Sequence, residues 1–450
     1  MSDAVSHVQM EFGHVSRIKS AISEIALCDP RKKLGEVTAV GSNTLQARFE
    51  NVEQGSICRI SSGRAIGTLA EVIALNKKVA TLSVLGETAL VKVGDRVERL
   101  TDSLTFPFHN GLLGRVVDGI GQPMEGRGPS DAVLRQAKPD AQLPALDRPL
   151  INDVMHTGIP AIDGFLTLGR GQRVALFGPP GCGKSTLLAG IMADCSADVV
   201  VLALVGERGR EVQEFLQRHL PKSVRRRTVL VVSTSDRPAL ERAYAVHVAS
   251  SIAEGFREQG KNVLLLVDSM TRVARALREI GLAAGEPAVR RGFPASVYAA
   301  LPKIIERAGL TKTGSITAIY AVLSEGDTAT DPIVEEIKSL TDGHIQLDPD
   351  LASAGRFPAI NVLGSLSRVM PDIAGKAHLD LAAKGRSLLA KYDELKLLIQ
   401  IGEYTAGQDV EADEAIARID EIRGFVHAPS GSAFTTTAQT VDRLRKALNR

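Results

Sequence analysis

Alternating apolar and polar residues mark the chain from about residue 34 to residue 100. The stretches "GEVTAVGSNTLQARFE", "AEVIALNKKVATLSVLG" and "ALVKVGDRV" are rich in β-branched residues and are separated by Gly or Asn turns. Short alternating strands joined by such turns are typical of a small closed β-structure. The pattern predicts an N-terminal β-barrel over residues 31–100.

The pattern changes twice further along the chain. Between about residues 160 and 365, aliphatic runs such as "VVVLALV" alternate with helical stretches, which is typical of an α/β domain with a mostly parallel sheet. From about residue 370 the spacing becomes helical, with a "TAGQD" break between two helices. We therefore predict an α/β fold with a nucleotide-binding domain over 101–365 and a C-terminal helical domain over 366–450.

The first thirty residues carry apolar side chains at a spacing of three to four, which would place them on one face of a helix. The residues on this face are Phe12, Val15, Ile18, Ile22 and Ile25. Such a helix could pack on its own barrel or dock onto a partner. We interpret residues 1–30 as a docking and oligomerisation segment.

Composition excludes several classes of protein. The net charge of +2 is too small to indicate a nucleic-acid or acidic-membrane partner. The four cysteines have neither zinc-site spacing nor a disulfide framework, as expected in a reducing cytosol. No apolar run has the length of a signal-peptide core or a membrane span. We expect a cytoplasmic protein.

The stretch "GPPGCGKST" follows the strand-like run "RVALF" and precedes the helix-like "LLAGIM". This is a complete phosphate-binding P-loop in the required strand, turn and helix context. The predicted ATP-binding residues of the loop are Gly178, Pro179, Pro180, Gly181, Cys182, Gly183, Lys184, Ser185 and Thr186. In this pattern the lysine reaches the β- and γ-phosphates and the Ser185 hydroxyl binds Mg²⁺. The alternative, a glycine-rich turn without a ligand, does not account for the full pattern.

Two carboxylates follow buried-strand patterns in the same region. Asp268 ends the run "NVLLLVD", where a P-loop protein places the acid that holds Mg²⁺, so we assign Ser185 and Asp268 to the metal. Glu207 follows "VVVLALVG" and could orient the attacking water or accept its proton. A surface Glu paired with a nearby Arg is the alternative for Glu207.

Several longer strings are specific enough to indicate a family. They include "GERGREVQEF", "VDSMTRVARALREIGLAAGEP", "TGSITAIYAVLSEGD", "FPAINVLGSLSRVMPDI" and "LIQIGEYTAGQD". These strings resemble the ATPases of type III protein export. The family comprises injectisome secretion ATPases and flagellar export ATPases, and both are similar to the catalytic subunit of F-type ATP synthase. The resemblance covers nearly the whole chain and implies a barrel, a RecA-like P-loop domain and a helical domain, assembled as a ring of six.

The resemblance also implies roles for individual residues. Glu207 would polarise the attacking water with Arg208 beside it, and Arg368 of a neighbouring subunit would be an arginine finger. Phe357 stands where the family offers a ring to adenine. An intrachain salt bridge for Arg368 and a core position for Phe357 are the alternatives. The implied catalytic set is Lys184, Glu207, Arg208 and Arg368, with ATP and Mg²⁺ as cofactors.

The implied partners are those of an export apparatus at the cytoplasmic face of the inner membrane. They are a stator or regulator protein at the N-terminus, a central stalk protein, the export gate, and chaperone–substrate complexes at the C-terminal domain. The strings "LIQIGEY" and "EADEAI" favour the injectisome branch over the flagellar branch. A ring helicase acting on RNA is a distant alternative, because residues 34–100 contain only one aromatic residue for base stacking, Phe49.

Overall fold

The computed structural model describes residues 34–41, 43–50, 52–61, 67–86, 91–126, 132–138, 144–324, 331–431 and 436–449. The predicted docking segment, residues 1–30, lies outside the described residues. The chain divides into two compact units, Met1–Asp102 and Ser103–Arg450.

The first unit contains a closed antiparallel barrel with the strand order β1-β2-β5-β4-β3-β6. Its strands are β1 (Leu34–Val40), β2 (Thr44–Arg48), β3 (Ile57–Ser61), β4 (Thr68–Asn76), β5 (Val79–Val84) and β6 (Arg96–Thr101). Leu45 and Ala47 of β2 point into the core while the residues between and beside them do not, as the alternation predicts. Phe49 is only 2% exposed, so its ring offers no free face for a base. The predicted barrel is confirmed.

The second unit is built on a nine-stranded sheet with the order β19-β18-β12-β17-β15-β13-β14-β8, and β16 pairs with β17. The strands are β8 (Val116–Asp118), β12 (Arg173–Gly178), β13 (Val199–Val205), β14 (Thr228–Ser233), β15 (Asn262–Asp268), β16 (Gly309–Leu310), β17 (Ser315–Leu323), β18 (Gly343–Leu347) and β19 (Ile360–Ser367). Only β16 and β19 pair antiparallel. Every residue of β13 is buried, as in parallel strands covered on both faces. The predicted α/β class is confirmed.

Helices cover the sheet, and two small hairpin-like pairs accompany it. The helices are Pro160–Phe165, Lys184–Asp194, Gly209–Glu214, Lys222–Arg225, Ala239–Glu258, Met270–Ala283, Ala295–Ile305, Pro332–Leu340, Pro349–Ser353 and Met370–Ile373, with a π-helical turn Phe215–His219 and 3₁₀ turns Asn110–Leu112 and Ala145–Asp147. The pairs are β7 (Thr105–Phe108) with β9 (Val133–Gln136), and β10 (Val154–Met155) with β11 (Leu168–Gly169).

The C-terminal region is helical, as predicted, with helices Lys376–Ile401, Val410–Val426 and Thr437–Asn449. Asp409 caps the second of these helices by accepting hydrogen bonds from the backbone N–H groups of Glu411 and Ala412. Phe425 packs edge-to-face on Phe165 with ring centroids 5.9 Å apart, so these helices share a hydrophobic core with the sheet. Within the part of the chain that is described, no helix is both long and apolar enough to cross a bilayer.

Candidate active site

The P-loop joins the carboxyl end of β12 to the helix Lys184–Asp194. Gly181 and Gly183 have φ angles of 86° and 76°, the left-handed region that favours glycine. A side chain at Gly178 would lie 2.8 Å from Leu347 of β18, so this glycine permits close packing beneath the loop. The loop therefore presents backbone N–H groups at a helix N-terminus, where phosphate binds.

Lys184 is the clearest sign that the loop is built for an anion. The residue is only 8% exposed, and its Nζ has no hydrogen-bond partner among the described residues. Burial lowers the pKa of this ammonium, while Asp268 and Glu207 act in the opposite direction. A buried cation without a hydrogen bond is costly, and phosphate oxygens of ATP would satisfy it.

Asp268 and Ser185 are the residues that the sequence predicts to hold Mg²⁺, and both line the cavity beside the P-loop. Asp268 ends β15, which is two strands from β12 in the sheet, and is 7% exposed. Burial raises the pKa of this carboxyl group, and the charges of Lys184 and Arg272 oppose that shift. No cluster of three or more His, Cys, Asp or Glu ligands occurs among the described residues. This donor set fits Mg²⁺, which takes few protein ligands and completes its shell with phosphate and water.

Glu207 lies just beyond β13, the strand next to β15. Arg272 contacts its carboxylate through two nitrogens. Nη2 donates a hydrogen bond to Oε2 at 3.1 Å, and Nε lies 3.1 Å from Oε1 in an ion pair. Burial, a hydrogen bond with Glu211 and the charge of Asp268 raise the pKa of Glu207 to about 8, against the opposing effect of Arg272. Once ionised, a carboxylate with such a pKa is a stronger proton acceptor than an ordinary glutamate.

The sequence prediction missed Arg272. This residue lies on the first turn of the helix Met270–Ala283, four positions after Asp268, and its Nη1 also donates to the carbonyl of Gly206. The string "VDSMTR" held the available signal, because a basic residue on the first turn after this strand faces the same edge of the sheet as Asp268.

These groups meet in one cavity of about 450 Å³ at the carboxyl ends of the parallel strands. Among the residues that line it are Pro179, Pro180, Gly181, Gly183, Lys184, Ser185, Thr186, Glu207, Glu211, Asp268 and Arg272. Cys182 does not line it, because its side chain is 3% exposed and packs in the core. The cavity can hold a phosphate chain between a cation, a metal-binding edge and a candidate base.

Arg208 and Phe357 lie outside the residues that line this cavity. The Arg208 side chain is 79% exposed, and its Nη1 lies 3.7 Å from Oε1 of Glu211. Phe357 is 47% exposed, and its ring would lie 3.1 Å from a Cβ placed on Gly183. An exposed ring beside the phosphate loop is available to stack on a base.

Arg368 lies near the amino end of β12, whereas the P-loop of its own chain follows the carboxyl end of that strand. Ser367, the residue before it, pairs with Gly343 at the start of β18, which runs parallel to β12. The six residues of β12 span roughly 16 Å at about 3.3 Å per residue. Arg368 is exposed and forms no ion pair with any described carboxylate, so the alternative of an intrachain salt bridge finds no support there.

Fold and site together define a P-loop ATPase with an N-terminal barrel and a helical C-terminal region. Residues 158–367 match the nucleotide-binding domain of the ATP synthase alpha/beta family, and residues 374–446 match the T3SS EscN ATPase C-terminal domain. The chain belongs to the family of type III secretion ATPases and their flagellar relatives. The resemblance found in the sequence is thereby confirmed.

Individual relatives come from both branches of this family. The type 3 secretion system ATPase of Xanthomonas euvesicatoria is 45% identical over 92% of this chain and 95% of its own length. The flagellum-specific ATP synthase of Bacillus subtilis is 43% identical over 91% and 94%. The solved structure of the assembled ATPase EscN from enteropathogenic E. coli matches with a TM-score of 0.87 and 45% identity, over 92% of this chain and 100% of that chain.

Proposed function

We propose that this chain is the hexameric ATP-hydrolysing motor of a bacterial type III secretion apparatus. The observation that carries the proposal is that the catalytic groups lie at opposite ends of the strands of one sheet. The P-loop, Glu207 and Asp268 lie at the carboxyl ends of the strands, whereas Arg368 lies near the amino end of β12, where it can reach a second subunit. In a ring, these two ends meet at each interface between subunits.

Hydrolysis at such an interface uses groups of both subunits. Lys184 neutralises charge on the β- and γ-phosphates. Ser185 and Asp268 would hold Mg²⁺, and the ion would supply further neutralisation of phosphate charge. Glu207, fixed by Arg272, orients the attacking water and takes its proton. Arg208 lies beside Glu207 in the chain and completes the proposed catalytic set. The neighbouring subunit's Arg368 is the proposed arginine finger for the γ-phosphate, and such a guanidinium contributes on the order of 10³ to 10⁵ in rate.

The proposed partners follow from the family. EscN has been solved assembled and in complex with its central stalk EscO, so we propose a hexamer that engages a central stalk protein. We also propose three further partners. They are a stator or regulator that binds residues 1–30, the export gate at the cytoplasmic face of the inner membrane, and chaperone–substrate complexes that bind the C-terminal helices. We place the chain in the injectisome branch, with the flagellar branch as the alternative.

Mixing inactive variants tests the shared site. Lys184→Ala removes the phosphate ligand, and Arg368→Ala removes the group offered to the neighbour, so each alone should be inactive. Their mixture should recover ATPase activity, because about a quarter of the interfaces in an equal random mixture pair an intact loop with an intact arginine.

The matched control mixes Lys184→Ala with Glu207→Gln. Both changes lie in the same half of the site, so no interface is complete and no activity should return. Mass spectrometry or two affinity tags must show that both kinds of subunit occupy one oligomer. If mixed oligomers of Lys184→Ala and Arg368→Ala stay inactive, or if a demonstrated monomer has full activity, the shared-site motor is wrong.

A further inference from the structure

Arg368 rests on the turn that joins the helix Pro332–Leu340 to β18. Its backbone N–H donates to the carbonyl of Asp342 at 2.9 Å, and its Nη1 donates to the carbonyl of Thr341 at 3.3 Å. Since no described carboxylate pairs with Arg368, these two consecutive carbonyls are its anchors within the described part of the chain. The position of the turn therefore sets the position of the arginine.

The carboxylate of Asp342 fastens this turn to the start of β12. It accepts three hydrogen bonds from Arg173, from the backbone N at 2.9 Å, from Nε at 3.0 Å and from Nη2 at 3.1 Å. The side chains are 25% and 18% exposed, so this contact is largely shielded from water. A two-pronged contact between arginine and carboxylate fixes direction as well as distance.

A second set of contacts orders the backbone just before Arg368. Gln172 is fully buried, and its Nε2 donates to the Asp342 carbonyl at 3.2 Å and to Ser367 Oγ at 3.1 Å. Ser367 Oγ in turn donates to the carbonyl of Thr167 at 3.0 Å. These contacts fix the backbone at residue 368, whereas the residue itself remains exposed.

We propose that Asp342 is a positioning residue for ATP hydrolysis in the neighbouring subunit's site. It lines no part of its own nucleotide cavity and acts by holding Arg368 through the carbonyls of Thr341 and Asp342. The inference rests on the proposed function, in which Arg368 serves the adjacent subunit. Catalytic groups lose about a hundredfold in rate when they move by about 1 Å, so a loosened turn is enough to impair hydrolysis.

The first test is kinetic. Asp342→Ala should lower kcat about ten- to a hundredfold and leave KM for ATP within about twofold, because the P-loop of the same chain is untouched. The control is Glu258→Gln, which removes the carboxylate from another two-pronged contact, that with Arg135 at 2.7 and 2.8 Å, and should keep wild-type kcat.

The second test asks which half of the interface is damaged. Asp342→Ala mixed with Lys184→Ala should recover activity, because the Lys184→Ala subunit supplies a well-placed Arg368 to an intact loop. Asp342→Ala mixed with Arg368→Ala should recover none, since both changes impair the same half. A subunit with a damaged fold would fail in both mixtures. Thermal melting screens for that damage, and Asp342→Asn, which keeps the volume and one acceptor oxygen, replaces the alanine variant if melting falls.

The outcomes separate this inference from the proposal beneath it. If Arg368→Ala is inactive but Asp342→Ala and Asp342→Asn have wild-type kcat, the positioning role is wrong and the shared site stands. The positioning role is also wrong if the mixture with Lys184→Ala shows no recovery, because Asp342 then serves its own subunit. If Arg368→Ala itself has wild-type kcat, the shared site fails and the positioning role fails with it.

Discussion

Arg272 pairs with the carboxylate of Glu207 through a hydrogen bond from Nη2 and an ion pair from Nε, each at 3.1 Å, although the two residues are far apart along the chain. The third guanidinium nitrogen donates to the carbonyl of Gly206, so the arginine fixes both the side chain and the backbone beside it. This contact gives the candidate base a single orientation toward the cavity. It also opposes the burial and the neighbouring acids that keep the pKa of Glu207 high.

Replacing Glu207 with Gln should abolish hydrolysis but leave ATP binding intact. The amide has the size of the carboxyl group but cannot accept a proton from water, and Lys184 with the loop remains to bind phosphate. We expect kcat to fall at least about a hundredfold with the Kd of ATP within about threefold. A fluorescent ATP analogue measures binding. If Glu207→Gln retains substantial turnover, the base lies elsewhere, and Glu211 is the next candidate.

The pH profile of kcat/KM should report the environment of Glu207. A base with a pKa of about 8 is active in its deprotonated form, so the rate should rise as pH increases through that region and be lost below it. Glu211→Gln removes a group that raises this pKa, so the limb should move to lower pH. Arg272→Ala removes a cation that lowers it, so the limb of its residual activity should move to higher pH. Shifts of the same sign in both variants would contradict the assignment of the limb to Glu207.

Phe357→Ala should weaken ATP binding only by removing the contact between the aromatic ring and the adenine base. Aromatic contacts contribute about 0.5 to 1.5 kcal/mol, which corresponds to a rise in KM of roughly two- to tenfold. Phe357→Tyr keeps a ring and serves as the matched control. Inorganic triphosphate has no base, so its affinity should be the same in all three proteins. An equal loss of affinity for ATP and triphosphate would show that the residue supports the loop instead.

The sequence revealed those parts of the site whose residues lie close together along the chain. The P-loop needs a strand, glycines and a helix within a dozen residues, and Asp268 ends an unbroken aliphatic strand, so both patterns are visible in one dimension. Arg272 was missed because its partner comes from another strand. Its contact with Glu207 exists only because β13 and β15 are neighbours in the sheet.

Arg368 illustrates the same limit in a different way. The string "SLSRVM" suggested the role of Arg368 by resemblance. Only the antiparallel pairing of β19 shows that Arg368 and its own P-loop lie at opposite ends of the strands. The register of that pairing depends on contacts between residues 13 to 24 positions apart, which no local pattern contains. The supporting contact between Asp342 and Arg173 was invisible for the same reason.

β12 carries the phosphate loop at one end and Arg173 at the other. A sheet buried on both faces is stiff along its strands, so a small displacement of this strand on filling of the loop would be delivered to the turn beneath Arg368. Nucleotide binding at the carboxyl end of β12 in one subunit would then change the position of Arg368, and with it the rate of hydrolysis in the next subunit. Around a closed ring, such coupling would favour sequential hydrolysis at the sites over independent turnover.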